Sequence, residues 1–127
     1  MENIFEQFDF HSFAPLIAAV VLGGLIGLER EIHRKPAGLR TNILICMGAA
    51  TFMLIAERMS AGPDTFARMT AGIVAGIGFI GGGAVLRDHA NVYGITTAAT
   101  IWVVTSIGIA CGMRLYDIAV VVTVLSL

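Results

Sequence analysis

Ser12 to Leu28 reads SFAPLIAAVVLGGLIGL, without a charged side chain and without a polar face at helical spacing. A helix needs about 20 predominantly apolar residues to cross the hydrocarbon of a bilayer. With its flanks this stretch meets that length, and it sets the frame for reading the rest of the chain. Four further apolar blocks follow: Thr41 to Ala56, Met69 to Leu86, Gly94 to Met113, and a last one opening at Tyr116 and still apolar at Leu127. The fold expected is all-α: a polytopic helical membrane protein of about five transmembrane helices in a single domain over 1–127. The absence of a polar flank after Leu127 suggests a natural chain that continues, or one cut at that point.

Composition agrees. Of the 127 residues, 57% are hydrophobic and 13% charged, whereas about a quarter are charged in an ordinary soluble domain, and the mean hydropathy is +0.85. The net charge of −1 gives no basic excess to attract a phosphate backbone, so nucleic acid is not an expected partner. Cys46 and Cys111 lie within apolar blocks and have no paired Cys/His spacing, so they read as small hydrophobes, not a disulfide or metal site. Met1 to Asp9 is acidic and lacks the basic start of a cleaved signal peptide.

Lys and Arg in short loops orient such a protein. Arg30, Arg34, Lys35 and Arg40 crowd the first connection and Arg87 lies in the third, while Arg58, Arg68 and Arg114 fall on the other side. The expectation is an N-terminus outside the cytoplasm, with the Arg30 to Arg40 and Arg87 to Asn91 connections inside. Those connections resemble each other: Arg30-Glu31 precedes Gly38-Leu39-Arg40-Thr41, and Arg87-Asp88 precedes Gly94-Ile95-Thr96-Thr97. A parallel helical-hairpin repeat is one reading of this; shared cap chemistry is the other.

Gly23 and Gly27, Gly72 and Gly76, Gly78 and Gly82, and Gly108 and Gly112 are each four apart, so each pair lies on one helix face, where small residues let helices approach closely. Gly76-Ile77-Gly78-Phe79-Ile80-Gly81 matches the dinucleotide fingerprint by letter only, because it lies inside a span and not between a strand and a helix. Gly81-Gly82-Gly83 should weaken the third helix near its end, at about 1 kcal/mol per glycine relative to alanine. A local break or a close helix contact is expected there.

No Asp, Glu, Lys or Arg lies mid-block, which counts against a carboxylate-driven pump. The polar residues gather at one end: Glu29, Arg30, Glu31, Arg40 and Asn42 from the first hairpin, with Arg87, Asp88, Asn91 and Thr97 from the second. Glu29 lies at the apolar boundary, so a partner such as Arg40 or Arg87 is expected. Trp102 stands among Thr96, Thr97, Thr100, Thr105 and Ser106, whose hydroxyls serve as interhelical glue or, alternatively, line a solute path. No His and acid arrangement accompanies a nucleophile, so neither catalysis nor a cofactor is expected.

Four ordered motifs resemble the bacterial MgtC/SapB family. They are Gly24-Leu25-Ile26-Gly27-Leu28-Glu29-Arg30, Ala37-Gly38-Leu39-Arg40-Thr41-Asn42, Gly76-Ile77-Gly78-Phe79-Ile80-Gly81-Gly82-Gly83, and Gly94-Ile95-Thr96-Thr97-Ala98-Ala99-Thr100-Ile101-Trp102. The resemblance implies a bacterial inner-membrane protein whose membrane domain, in many members, precedes a cytoplasmic C-terminal domain. It also implies links to growth under magnesium limitation, to survival inside phagocytes and to restraint of the F-type ATP synthase. Glu29, Arg30, Arg40, Asn42, Asn91, Thr97 and Trp102 match its motifs. Val103 departs from members that place a cysteine after the tryptophan, which puts a virulence role in doubt.

The function expected is that of a non-enzymatic membrane regulator, a homodimer through glycine-lined faces, acting on other membrane proteins such as the ATP synthase or on magnesium homeostasis, with another membrane protein or a small regulatory membrane peptide as partner. The alternative is a carrier or channel for Mg²⁺ or another small solute, with Glu29, Asp88 and Asn91 at a cytoplasmic gate.

Overall fold

The computed structural model describes residues 10–59 and 62–127; the acidic segment 1–9 lies outside the described residues. A short 3₁₀ turn, Phe10–Ser12, leads into α1 (Phe13–Ile32), α2 (Leu39–Arg58) and α3 (Pro63–Gly83). A two-stranded antiparallel hairpin follows, β1 (Leu86–Asp88) and β2 (Asn91–Tyr93), then α4 (Ile95–Gly112) and α5 (Tyr116–Ser126). Helices α1 to α4 are long and apolar enough to cross a membrane; α5, with 11 residues, is apolar but shorter. The chain is an all-α, multi-pass membrane protein, with the hairpin its one departure from helix among the described residues.

Sequence and structure differ mainly at the helix ends. Helix α1 runs through Glu29, Arg30 and Glu31 before residues 34 and 37 take left-handed backbone and turn the chain. Helix α2 begins two residues before the expected Thr41, directly after Gly38. Helix α3 starts six residues before Met69, because Pro63 fits the first helical position and Asp64 favours the positive end of the helix dipole. It stops at Gly83, where the glycine run was expected to weaken it.

The two resembling connections are built differently. The first is a tight turn and the second a β-ladder pairing Leu86 with Tyr93 and Asp88 with Asn91. Their shared glycine does hold, since Gly38 and Gly94 are the N-caps of α2 and α4. Gly94 has φ +88, and a side chain there would strike the backbone of Ala84. Glycine is therefore required both by conformation and by space.

The core is the seam where α1, α2 and α4 meet, with α5 closing one side. Ala19, Ile26, Cys46, Ala50, Val104, Ile107, Ala110, Cys111 and Ala119 form one buried cluster. Small residues set its width. A Cβ at Gly23 would come within 2.6 Å of Cys46 Cβ, one at Gly27 within 2.7 Å of Leu39 Cα, and one at Gly112 within 2.6 Å of Met53 Cβ. Gly108 lies directly against the Cys46 backbone. In lipid, where apolar surface gains nothing by leaving its solvent, such close backbone approach is what holds helices together.

Helix α3 is the exception. Only 6% of its apolar window is buried, against 50% for α4. Gly72, Gly76, Gly78, Gly82 and Gly83 have open space where a side chain would be, and Gly81 alone makes ordinary contact, 3.8 Å from Ala98. Packing within this chain thus accounts for Gly23 and Gly27 but not for the glycines of α3.

Candidate functional site

At the end of the bundle carrying the hairpin, four polar features converge. Arg30, on the last turn of α1, is 6% exposed. It is placed there because Gly23 and Gly27, on the same face, bring α1 hard against the start of α2. Its Nη2 donates to the carbonyl of Pro36 at 3.0 Å and to the hydroxyl of Thr97. Asn42, fully buried on α2, donates from Nδ2 to the carbonyls of Ala37 at 2.7 Å and Gly38 at 2.8 Å. Consecutive carbonyls of the turn, 36 to 38, are therefore held by Arg30 and Asn42, and Thr97 ties α4 to the same point.

The site is electropositive. Arg30 makes no ion pair with a described residue, its Nε is buried without a partner, and so is Asn42 Oδ1. The helices that start here add to that sign. In α2 the first helical bond is from Asn42 N to Gly38 O, and in α4 from Ala98 N to Gly94 O, which leaves three N–H groups free at the head of each. Neither N-cap supplies a side-chain acceptor, and neither first turn contains an acid.

The other expected site residues are dispersed. Glu29 faces outward, with its carboxylate 3.1 Å from His33 Nδ1 one turn on and not paired with Arg40 as expected; the expected pairing with Arg87 falls on a side chain outside the described residues. A partner within the same helix was available because α1 continues past the expected exit. Arg40 and Asn91 are exposed, the latter in β2. Arg87 and Asp88 lie in β1, and their side chains fall outside the described residues. Trp102 is 56% exposed and walls a cavity of about 230 Å³ with Thr70, Val74, Ile77, Thr105 and Ser106.

Hydroxyls of α4 and α5 turn back on their own backbones, Thr100 to Thr96 O, Thr105 to Ile101 O, Ser106 to Val103 O and Thr123 to Ala119 O, while Thr97 instead accepts from Arg30 and Thr70 donates to Met53 Sδ. Among the described residues no group of three or more His, Cys, Asp or Glu could hold a metal ion. Both cysteines are free and buried.

Sequence reading missed the opposite end of the bundle. There Arg114 grips both oxygens of Glu57 at 2.8 and 2.9 Å, and Arg58 donates to Ser12 Oγ at 3.3 Å. The positive charges flanking each span were visible, but which acid each would meet was not. A larger groove of about 590 Å³ opens between α2 and α3, walled by Leu44, Gly48, Phe52, Met69, Gly72 and Gly76, with Arg68 at one end.

A family model described as "MgtC family" matches residues 16–127, a span that holds Arg30, Asn42, Thr97 and the tight glycines of the seam. The chain belongs to the MgtC family. Among curated relatives, Protein MgtC of Salmonella typhimurium is 46% identical over 112 residues, covering 88% of this chain and 48% of that protein. Protein MgtC of Brucella abortus is 46% identical over 114 residues, covering 90% and 48%. The chain thus spans about half the length of the MgtC proteins it matches. No solved structure matches it.

Proposed function

We propose that the chain is a non-enzymatic regulator of the bacterial inner membrane, tied to magnesium homeostasis and acting on other proteins in the bilayer. The observation that carries this reading is the contrast between its closed interior and its open flank. The seam of α1, α2 and α4 is shut by backbone contact, and the hydroxyls near it are satisfied by their own helices. Helix α3, by contrast, keeps Gly72 and Gly76 uncovered beside the α2–α3 groove. Faces of this kind are where membrane helices associate. A second copy of the chain is the partner in this reading, through α3 and not through Gly23 and Gly27, which are already occupied. The electropositive hairpin end faces the cytoplasm, as the clustering of Arg30, Arg34, Lys35 and Arg40 favours.

Purified protein in sealed vesicles, loaded with a magnesium indicator, tests this directly. The expected result is no flux down an imposed Mg²⁺ gradient, together with co-purification of the chain with another membrane protein from gently solubilised membranes. Flux that Glu29→Gln abolishes would overturn the regulator reading in favour of a carrier. Labelling single cysteines introduced at His33 and at Asn3 from either side of intact cells tests the orientation, which fails if position 33 reacts from outside.

A further inference from the structure

The guanidinium of Arg30 is buried at the membrane boundary with a formal charge and, among the described residues, only neutral acceptors, Pro36 O and Thr97 Oγ1. A buried charge without a counter-ion costs several kcal/mol, and proteins avoid the arrangement unless something else supplies the opposite charge. Among the described residues the nearby carboxylates do not. Glu29 is turned to His33, and Glu31 is exposed and makes no ion pair with a described residue. Arg34, Lys35 and Arg40, all exposed around the same turn, raise the positive potential further.

Two other observations point to the same ligand. The head of α4 is uncapped by its own N-cap and has no acid in its first turn, so it presents unpaired N–H groups and the positive end of its dipole, whereas at the head of α2 the carboxylate of Glu31 lies beside Gly38. The hydroxyl of Thr97, accepting from Arg30, keeps its own hydrogen for an acceptor, since it makes no return bond to its helix. Asn42 Oδ1, buried and unsatisfied beside the same turn, needs the opposite, a donor. A group with several charged acceptor oxygens and one hydroxyl meets both demands. A carboxylate or sulfate supplies acceptors only.

We infer that the hairpin end binds hydrogen phosphate or the singly protonated form of a phosphate monoester, its oxygens facing Arg30 and Thr97 and its hydroxyl facing Asn42. This is independent of the regulator reading and survives that reading's failure. The group could come from inorganic phosphate in the cytosol or from the headgroup of phosphatidic acid in the bilayer.

Equilibrium dialysis of radiolabelled inorganic phosphate against the detergent-purified chain, with thermal unfolding in parallel, tests the free source. Nanodiscs of phosphatidic acid against phosphatidylcholine test the lipid source. Thr97→Val removes the hydroxyl while keeping the shape, and should weaken binding about tenfold or more; Thr97→Ser should bind as the parent does. Saturable phosphate binding not reproduced by sulfate, and weakened in Thr97→Val, assigns the free ion. Stabilisation by phosphatidic acid alone, again weakened in Thr97→Val, assigns the headgroup. The inference is overturned if neither phosphate nor phosphatidic acid has an effect, if sulfate serves as well, or if Thr97→Val responds like the parent. Arg30→Lys, which keeps the charge but loses the planar fork, should fold and bind more weakly. Arg30→Gln should lose the phosphate response, and a folded Arg30→Gln variant that still binds phosphate as the parent does would equally count against the inference.

Discussion

Gly108 of α4 lies so close to Cys46 of α2 that a single added carbon would overlap the cysteine's carbonyl oxygen. The contact is backbone to backbone, so no rotamer change relieves it. Gly108→Ala should therefore lower stability by about 3 kcal/mol or more, since overpacking of this kind forces helices apart. Gly78→Ala, where nothing lies within 4 Å, should be neutral or gain up to about 1 kcal/mol from helix propensity. Reversible thermal or urea unfolding in one detergent, with both variants side by side, checks the contrast.

Asn42 latches the first turn through Ala37 O and Gly38 O. Asn42→Leu removes both bonds and leaves Ala37 O without its donor, while Gly38 O keeps the backbone N–H of residue 42, at a cost of about 1–3 kcal/mol. Asn42→Asp should be worse at neutral pH, because a buried carboxylate would face those carbonyls with no proton to offer. Melting temperatures in the order parent, Leu, Asp are expected; equal values would mean the latch contributes nothing.

At the other end, the Glu57–Arg114 pair is geometrically good but half open to solvent, with side chains 46% and 26% exposed. Exposed pairs contribute about 1 kcal/mol or less. Glu57→Gln should accordingly lower stability only slightly, and high salt should erase the difference. A loss as large as that of Gly108→Ala would show that this end is drier than its exposure implies.

Leucine at Gly76 would project into the open groove beside Met69 and Ile73. Gly76→Leu should leave unfolding of the single chain unchanged while abolishing self-association through α3. Sedimentation equilibrium in density-matched detergent reads the two effects separately. An unchanged oligomer with the leucine in place would move the interface elsewhere.

Much of this architecture was legible in the order of residues. Uninterrupted apolar blocks fix the number of helices, because backbone groups in hydrocarbon must be satisfied within each segment. Arg30, Asn42 and Thr97 stood out as polar residues at the boundary of such blocks, and the structure brings these three together at the first turn. Other features could not be read. Spacing by four places two glycines on one face but says nothing of what that face meets, so Gly23 and Gly76 look alike in sequence and differ completely in surroundings. Likewise Glu29 was bound to have a partner, yet the choice of His33 depended on α1 continuing one turn beyond its apolar stretch, a decision made by tertiary packing.

The loose seating of α3 has a mechanical corollary. The other long helices are pinned at both rims, by Arg30 and Asn42 at one and by Arg114 and Arg58 at the other, whereas α3 rests on α2 and α4 mainly through apolar residues and Thr70, whose hydroxyl meets Met53 Sδ at 3.7 Å. When lipid composition makes the hydrocarbon slab thinner or thicker, tilting is the cheapest accommodation. In the single chain that tilt is expected to fall on α3, the long helix least covered by its neighbours.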